Sequence, residues 1–171
     1  MKKPKVAFFD FAGCEGCQLQ IANLEEAVID VTKIVDIVSF REVMKEHSDE
    51  YDIAVVEGSI MRPMDEERLK KIRANAKILV ALGACACMGS VQRMLNQWPM
   101  QESKNIVYGE GPKIKDNPYF ANFHTKALDE VVKVDAFMPG CPINKDEFVR
   151  VLVALVQGKK PPIPDYPLCV E

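Results

Sequence analysis

The sequence has no run of about 18 apolar residues, so no segment predicts a membrane-spanning helix. It has no basic stripe and no acidic tail. Its 22 Lys and Arg against 25 Asp and Glu leave a net charge of −3, which offers nucleic acid no footprint and disorder no signature. There are no internal repeats. The opening, "MKKPKVAFFDFAG", has an apolar part too short for a secretory signal, and Asp10 interrupts it. The expected location is therefore the cytoplasm. The loop after the first apolar run also lacks a glycine-rich nucleotide cradle, and it lacks the Ser and Thr run that would hold a flavin phosphate. A CxxC stands there instead, in "FFDFAGCEGCQLQIANLEE".

With 48% hydrophobic and 27% charged residues over 171 positions, the composition is that of one globular domain with a real core. We expect that domain over residues 1–158 and a proline-rich tail, "KKPPIPDYPLCVE", over 159–171. The 6 cysteines, in a reducing compartment, point to metal binding or catalysis before disulfides.

Five short apolar runs rich in β-branched or aromatic residues predict strands: 5–11, 34–40, 52–58, 77–83 and 134–140. Amphipathic stretches lie between them. Cys17, Ile21, Leu24 and Val28 share one helix face, as do Leu69 and Ile72, and as do Phe148, Val151, Leu152 and Leu155. Asn144 predicts a helix cap, with Asp146 and Glu147 favourable in the first turn. A further helix is expected from about His124. The stretch 96–121 shows little periodicity and reads as a long functional or partner-facing loop. Alternating strand and helix imply an α/β fold, an open parallel sheet with helices on both faces.

In such sheets ligands bind beyond the carboxyl ends of the strands. Cys14 follows the first strand, Cys85 the fourth and Cys141 the fifth, while Cys17 opens the first helix. Four thiols distant in sequence are thus predicted to meet at one rim. Structural zinc usually comes from two local CxxC knuckles, whereas here only one pair is local. An iron–sulfur cube spaces its thiolates farther apart and suits dispersed ligands. Pro142 after Cys141 matches the Cys-Pro ending of cluster-binding ferredoxin runs. The pattern favours a cluster, and three other readings stay open: zinc, a dithiol redox pair at Cys14 and Cys17, and buried unreactive cysteines.

The motifs "GCEGCQLQI", "VVEGSI", "GACACMGSV" and "MPGCPIN", in this order, resemble the small, electron-transferring subunit of nickel–iron hydrogenases, over residues 5 to about 169. The likeness is closest to the cytoplasmic NAD(P)- or ferredoxin-linked groups. It implies a flavodoxin-like fold and one 4Fe–4S cluster at the carboxyl edge of the strands, held by Cys14, Cys17, Cys85 and Cys141. It also implies a large subunit carrying the NiFe centre, and further iron–sulfur and flavin (FMN or FAD) subunits as electron partners. The related 20 kDa cluster subunit of respiratory NADH dehydrogenase usually has adjacent cysteines at the first site, so the CxxC favours hydrogenase. A complex I-like or membrane-bound hydrogenase subunit is the alternative, and a zinc- or dithiol-containing flavodoxin-like binding module is the second.

Around that rim, Glu57 reads either as a proton relay or as a carboxylate capping the helix that follows it. Glu15 reads as exposed to solvent or partner. Cys87 reads as a small buried hydrophobe and Cys169 as a bystander. His47 and His124 read as surface residues. Met88, Met94, Met100 and Trp98 suggest a partner surface, with core packing as the alternative. Arg62 and Arg93 read as solvated surface, with steering of an acidic partner as the alternative.

Overall fold

The computed structural model describes residues 3–109 and 117–163; Cys169 and most of the proline-rich tail lie outside the described residues. Five strands, β1 (Lys5–Asp10), β2 (Asp36–Ser39), β3 (Ile53–Glu57), β4 (Ile78–Leu82) and β5 (Ala136–Met138), form one sheet in the order β2-β1-β3-β4-β5. Every neighbouring pair is parallel. The chain reverses its direction of travel between β1 and β3, which creates the crevice at which open α/β sheets place ligands.

Alternation along the strands explains the two layers of core. Val6, Phe8, Ile53, Val55, Val80 and Leu82 face one way and pack on Ile21, Leu24, Val31, Phe148, Val151 and Leu152. Those residues come from α1 (Gly16–Ala22), the turn after it, α2 (Ala27–Ile34) and α7 (Lys145–Val156). Ala7, Ala54, Val56, Leu79 and Ala81 face the other way, onto Leu69 and Ile72 of α3 (Pro63–Asn75) and Ala86 of α4 (Gly83–Met88), which the short α5 (Ser90–Arg93) follows. Because both faces are covered, β3 reads "IAVVE" and is buried at every position. At the start of α7 the Asn144 side chain accepts the N–H groups of Asp146 and Glu147 at 2.9 and 3.1 Å, the cap its sequence predicts.

Three expectations need correction. The helix face running from Cys17 through Val28 is not continuous: α1 ends at Ala22, Glu25 takes a left-handed φ of 55°, and α2 starts at Ala27. The hydrophobic period continues through the break, so periodicity alone does not reveal it. The stretch 96–121 is not all loop, because α6 (Met100–Tyr108) forms there. Its apolar residues Ile106, Val107 and Tyr108 are exposed and give it no inward stripe to read. The segment from His124 is not an α-helix. Lys126 pairs with Ile60 as an isolated antiparallel bridge, and only a 3-10 turn follows, at Leu128–Glu130. That bridge satisfies the backbone groups a helix would otherwise have satisfied.

Candidate metal centre

The carboxyl ends of β1, β3, β4 and β5 are tied together by backbone bonds before any side chain is considered. Past β1, Phe11 N–H donates to Glu57 O at 2.9 Å, and Ala12 and Ser59 exchange N–H···O bonds of 3.1 and 2.8 Å. Past β4, Ala84 N–H donates to Gly140 O at 2.7 Å, joining the loop of Cys85 to the loop of Cys141. Past β3, the buried Glu57 carboxylate accepts Cys17 N–H at 3.2 Å and Gln18 N–H at 2.9 Å. It therefore caps α1. It does not cap the helix that follows it in sequence, where the Asp65 carboxylate serves instead, accepting Arg62 N–H at 3.1 Å.

Two glycines shape this rim. Gly83 opens α4 with φ +80°, and a Cβ there would stand 2.4 Å from the Cys17 sulfur. Gly140 has φ +146°, and a Cβ would stand 2.7 Å from Ile143 Cα. Any other residue would push the sulfur aside or spread the loop of Cys141.

Cys17 is buried, Cys85 half-buried, and Cys14 and Cys141 exposed. Burial is the main force raising the Cys85 thiol above its ordinary range; hydrogen bonds from Gln92 and Ser90 oppose it, and Cys14 and Cys141 add to it. Burial pushes the Cys17 thiol up to about 12, against an Ile143 backbone hydrogen bond, with the Glu57 carboxylate and Cys85 adding to the rise. Such a thiol is a poor nucleophile at neutral pH. An electropositive centre that displaced the proton would reverse that penalty. The donor set therefore fits a thiolate-bound iron–sulfur cluster, for which Cys17, already met by the Ile143 backbone N–H, would be one ligand. Among the described residues, no three Cys, His, Asp or Glu side chains gather closely enough to hold a single metal ion.

The remaining candidates sort clearly. The Cys87 sulfur donates to Ala81 O at 3.5 Å, and burial raises its thiol to about 12, as expected of a small core hydrophobe. Burial also raises the Glu57 acid, against the N–H groups of Gln18 and Cys17. Glu15 is half-buried and left-handed at φ 61°, and a side-chain hydrogen bond with Glu42 raises its pKa most. His47 and His124 are both exposed. Met88, Met94 and Trp98 are exposed as well, while Met100, grouped with them on sequence, is half-buried. Arg62 is fastened to Asp65 and Arg93 to Glu130, so neither is merely solvated. Sequence reasoning missed Gln92 and the Ile143 N–H beside the thiols. Gln92 follows "GACACMGSV" by one residue, but a backbone donor such as Ile143 leaves no sequence signal.

The family described as NADH ubiquinone oxidoreductase, 20 kDa subunit, matches residues 14–155. Sulfhydrogenase 2 subunit delta of Pyrococcus furiosus is 32% identical over 168 residues, spanning 98% of this chain and 68% of that protein. The NAD-reducing hydrogenase HoxS subunit delta of Cupriavidus necator is 32% identical over 168 residues, spanning 92% of this chain and 80% of that protein. The chain spans less of the F420-non-reducing hydrogenase subunits G, for example 61% of the one from Methanocaldococcus jannaschii. Among solved structures, a subunit of an NAD+-reducing [NiFe]-hydrogenase in the H2-reduced state superposes with a TM-score of 0.83 at 27% identity, covering 96% of this chain and 97% of that one.

Proposed function

We propose, from the premise that this chain belongs to the family of the 20 kDa subunit of NADH ubiquinone oxidoreductase, that it is the small subunit of a cytoplasmic nickel–iron hydrogenase and holds one 4Fe–4S cluster. Its relatives are subunits of hydrogenases, which are oxidoreductases. The observation that carries the reading is that cysteines from three distant strand ends come to one rim: a Cβ at Gly16 would stand 3.4 Å from the Cys14 sulfur and 3.9 Å from Pro142 Cβ, one at Gly83 would stand 2.4 Å from the Cys17 sulfur, and Ala84 N–H beside Cys85 donates to Gly140 O beside Cys141 at 2.7 Å. Cys14, Cys17, Cys85 and Cys141 would be the ligands. When bound, the cluster supplies reversible one-electron transfer between the nickel–iron site of a large subunit and further iron–sulfur and flavin subunits, linked to NAD(P) or ferredoxin.

The chain's own residues do the positioning. Glu57 fixes the start of α1 and with it the direction of Cys17. The Ala84–Gly140 bond sets the loops of Cys85 and Cys141 against each other. Apolar packing around Cys17 keeps water from its sulfur. Cys14 and Cys141 remain exposed, so a partner must cover that side to shield it from oxygen. Exposed Met88, Val91, Met94 and Trp98 continue outward from the loop of Cys85 and suit that contact.

Iron and acid-labile sulfide analysis of single Cys→Ala variants tests the reading. Changing Cys14, Cys17, Cys85 or Cys141 should abolish a full cluster, while Cys87→Ala should keep it. A complete cluster in Cys141→Ala would refute the ligand set. A colourless protein containing one zinc ion would refute the function.

A further inference from the structure

We propose that Ser90 is a positioning residue that tunes the reduction potential of the cluster by donating its hydroxyl to the Cys85 sulfur, an inference that rests on the ligand set proposed above. Helix α4 ends at Met88, and Gly89 turns the chain with φ +83°, its N–H donating to Cys85 O at 2.9 Å. Glycine takes that conformation freely. Ser90 follows with φ 43°, a second left-handed residue in succession, and this one carries a side chain. Strain of this kind persists only where the surroundings over-determine it. Here they do. Arg93 N–H donates to Gly89 O at 3.2 Å, and the Arg93 guanidinium donates to both oxygens of Glu130 at 2.7 and 3.1 Å. Gln92 Nε2 donates to Ala12 O at 3.2 Å, in the loop that leads to Cys14, and Gln92 O accepts the hydroxyl of the buried Thr125 at 3.0 Å.

The turn held in this way aims a donor. Ser90 is half-buried, and its hydroxyl and the Gln92 carboxamide both hydrogen-bond the Cys85 side chain, favouring its thiolate form against burial. The Gln92 amide has two hydrogens, one on Ala12 O and a second for sulfur. Negative charge on the ligand sulfurs grows when the centre gains an electron, so a donor aimed at one of them favours the reduced form and raises the potential. No bond forms or breaks at Ser90, and its hydroxyl keeps its proton. Ser90 also differs from Gln92 in one useful respect. Glycine would suit its backbone better than serine does, so the hydroxyl is what serine adds at the cost of strain. Removing the hydroxyl and relieving the strain are therefore separable by substitution.

Redox titration of the full chain under anaerobic conditions, read by electron paramagnetic resonance, tests this with two variants. Ser90→Ala removes the hydroxyl and keeps the left-handed Cβ, whereas Ser90→Gly removes both. Each should keep the iron and sulfide content of the unchanged protein. Each should also lower the potential, so that at the midpoint of the unchanged protein the reduced-to-oxidised ratio falls about threefold or more, as part of one hydrogen bond to a charged group allows. Ser90→Gly should unfold at a higher urea concentration than Ser90→Ala. A residue that only shapes the turn would move stability and leave the potential where it was. If Ser90→Ala does not fold, Ser90→Gly decides, because it relieves the backbone. An unshifted potential in a folded variant with full iron and sulfide would overturn the proposal and leave the ligand set standing. An unchanged protein that takes up no iron and sulfide would overturn both.

Discussion

Replacing Gly83 by alanine tests the rim directly. Two costs arise and can be separated. With φ at +80°, any Cβ carries a left-handed backbone penalty of about 1–2 kcal/mol. The same Cβ would stand 2.4 Å from the Cys17 sulfur, far inside contact distance, so α1 or α4 must shift. Overpacking of that kind costs about 1–3 kcal/mol. The sum, about 2–5 kcal/mol, is a large share of a typical stability of about 5–15 kcal/mol. Gly158→Ala is the matched control: its φ is +67° and nothing lies within 4 Å of the added Cβ. It should lose about 1–2 kcal/mol from strain alone. Urea denaturation of both variants, followed by circular dichroism, isolates the sulfur contact as their difference. Iron and sulfide counts should fall in Gly83→Ala and hold in Gly158→Ala. The reasoning fails if Gly83→Ala matches Gly158→Ala in stability and keeps a full complement of iron and sulfide.

Two other perturbations probe the frame around the rim. Glu57→Ala leaves the Cys17 and Gln18 N–H groups buried without their acceptor and should cost about 1–3 kcal/mol, whereas Glu57→Gln keeps an acceptor and should cost less; a lower urea midpoint only in the Ala variant is the expected result. Asp135 gives a pH signature. Burial pushes its carboxyl up, but the Leu79 N–H and the guanidinium of Arg73, with Lys133, outweigh burial and hold it below its ordinary 3.8. A depressed folded pKa means that its stabilising effect is complete above about 3.8 and drains away as pH falls through the lower folded value. Asp135→Asn should therefore lower stability at neutral pH and flatten the acid limb of the stability curve, and a thermal-melting series across pH checks both.

The strands and the cysteines were legible because their physics is local. Runs such as "DIAVVEG" and "KILVALG" carry their burial in their composition, and a thiol just past a strand end has nowhere else to go in an open parallel sheet. The exposure of Met88 and Trp98 was legible for a similar reason, since neither joins an inward stripe. What stayed hidden depends on distant partners. Nothing near Glu57 in sequence says that its carboxylate caps α1, about 40 residues upstream. The break at Glu25 interrupts a helix whose hydrophobic period runs on undisturbed, so only the three-dimensional course of the chain reveals it. Lys126 pairs with Ile60 because β3 exits beside it, and the residues around His124 carry no local sign of that partner.

Strand β5 forms an edge of the sheet and comes last in the chain, yet the fourth thiol hangs from the loop beyond it. During synthesis the ribosome therefore delivers Cys14, Cys17 and Cys85 well before Cys141. At cellular elongation rates the wait is on the order of several seconds. Through that interval the nascent polypeptide presents an incomplete set of sulfurs, open to whatever ion diffuses past. Under the proposed ligand set, a complete cluster can be held only once translation has passed residue 141.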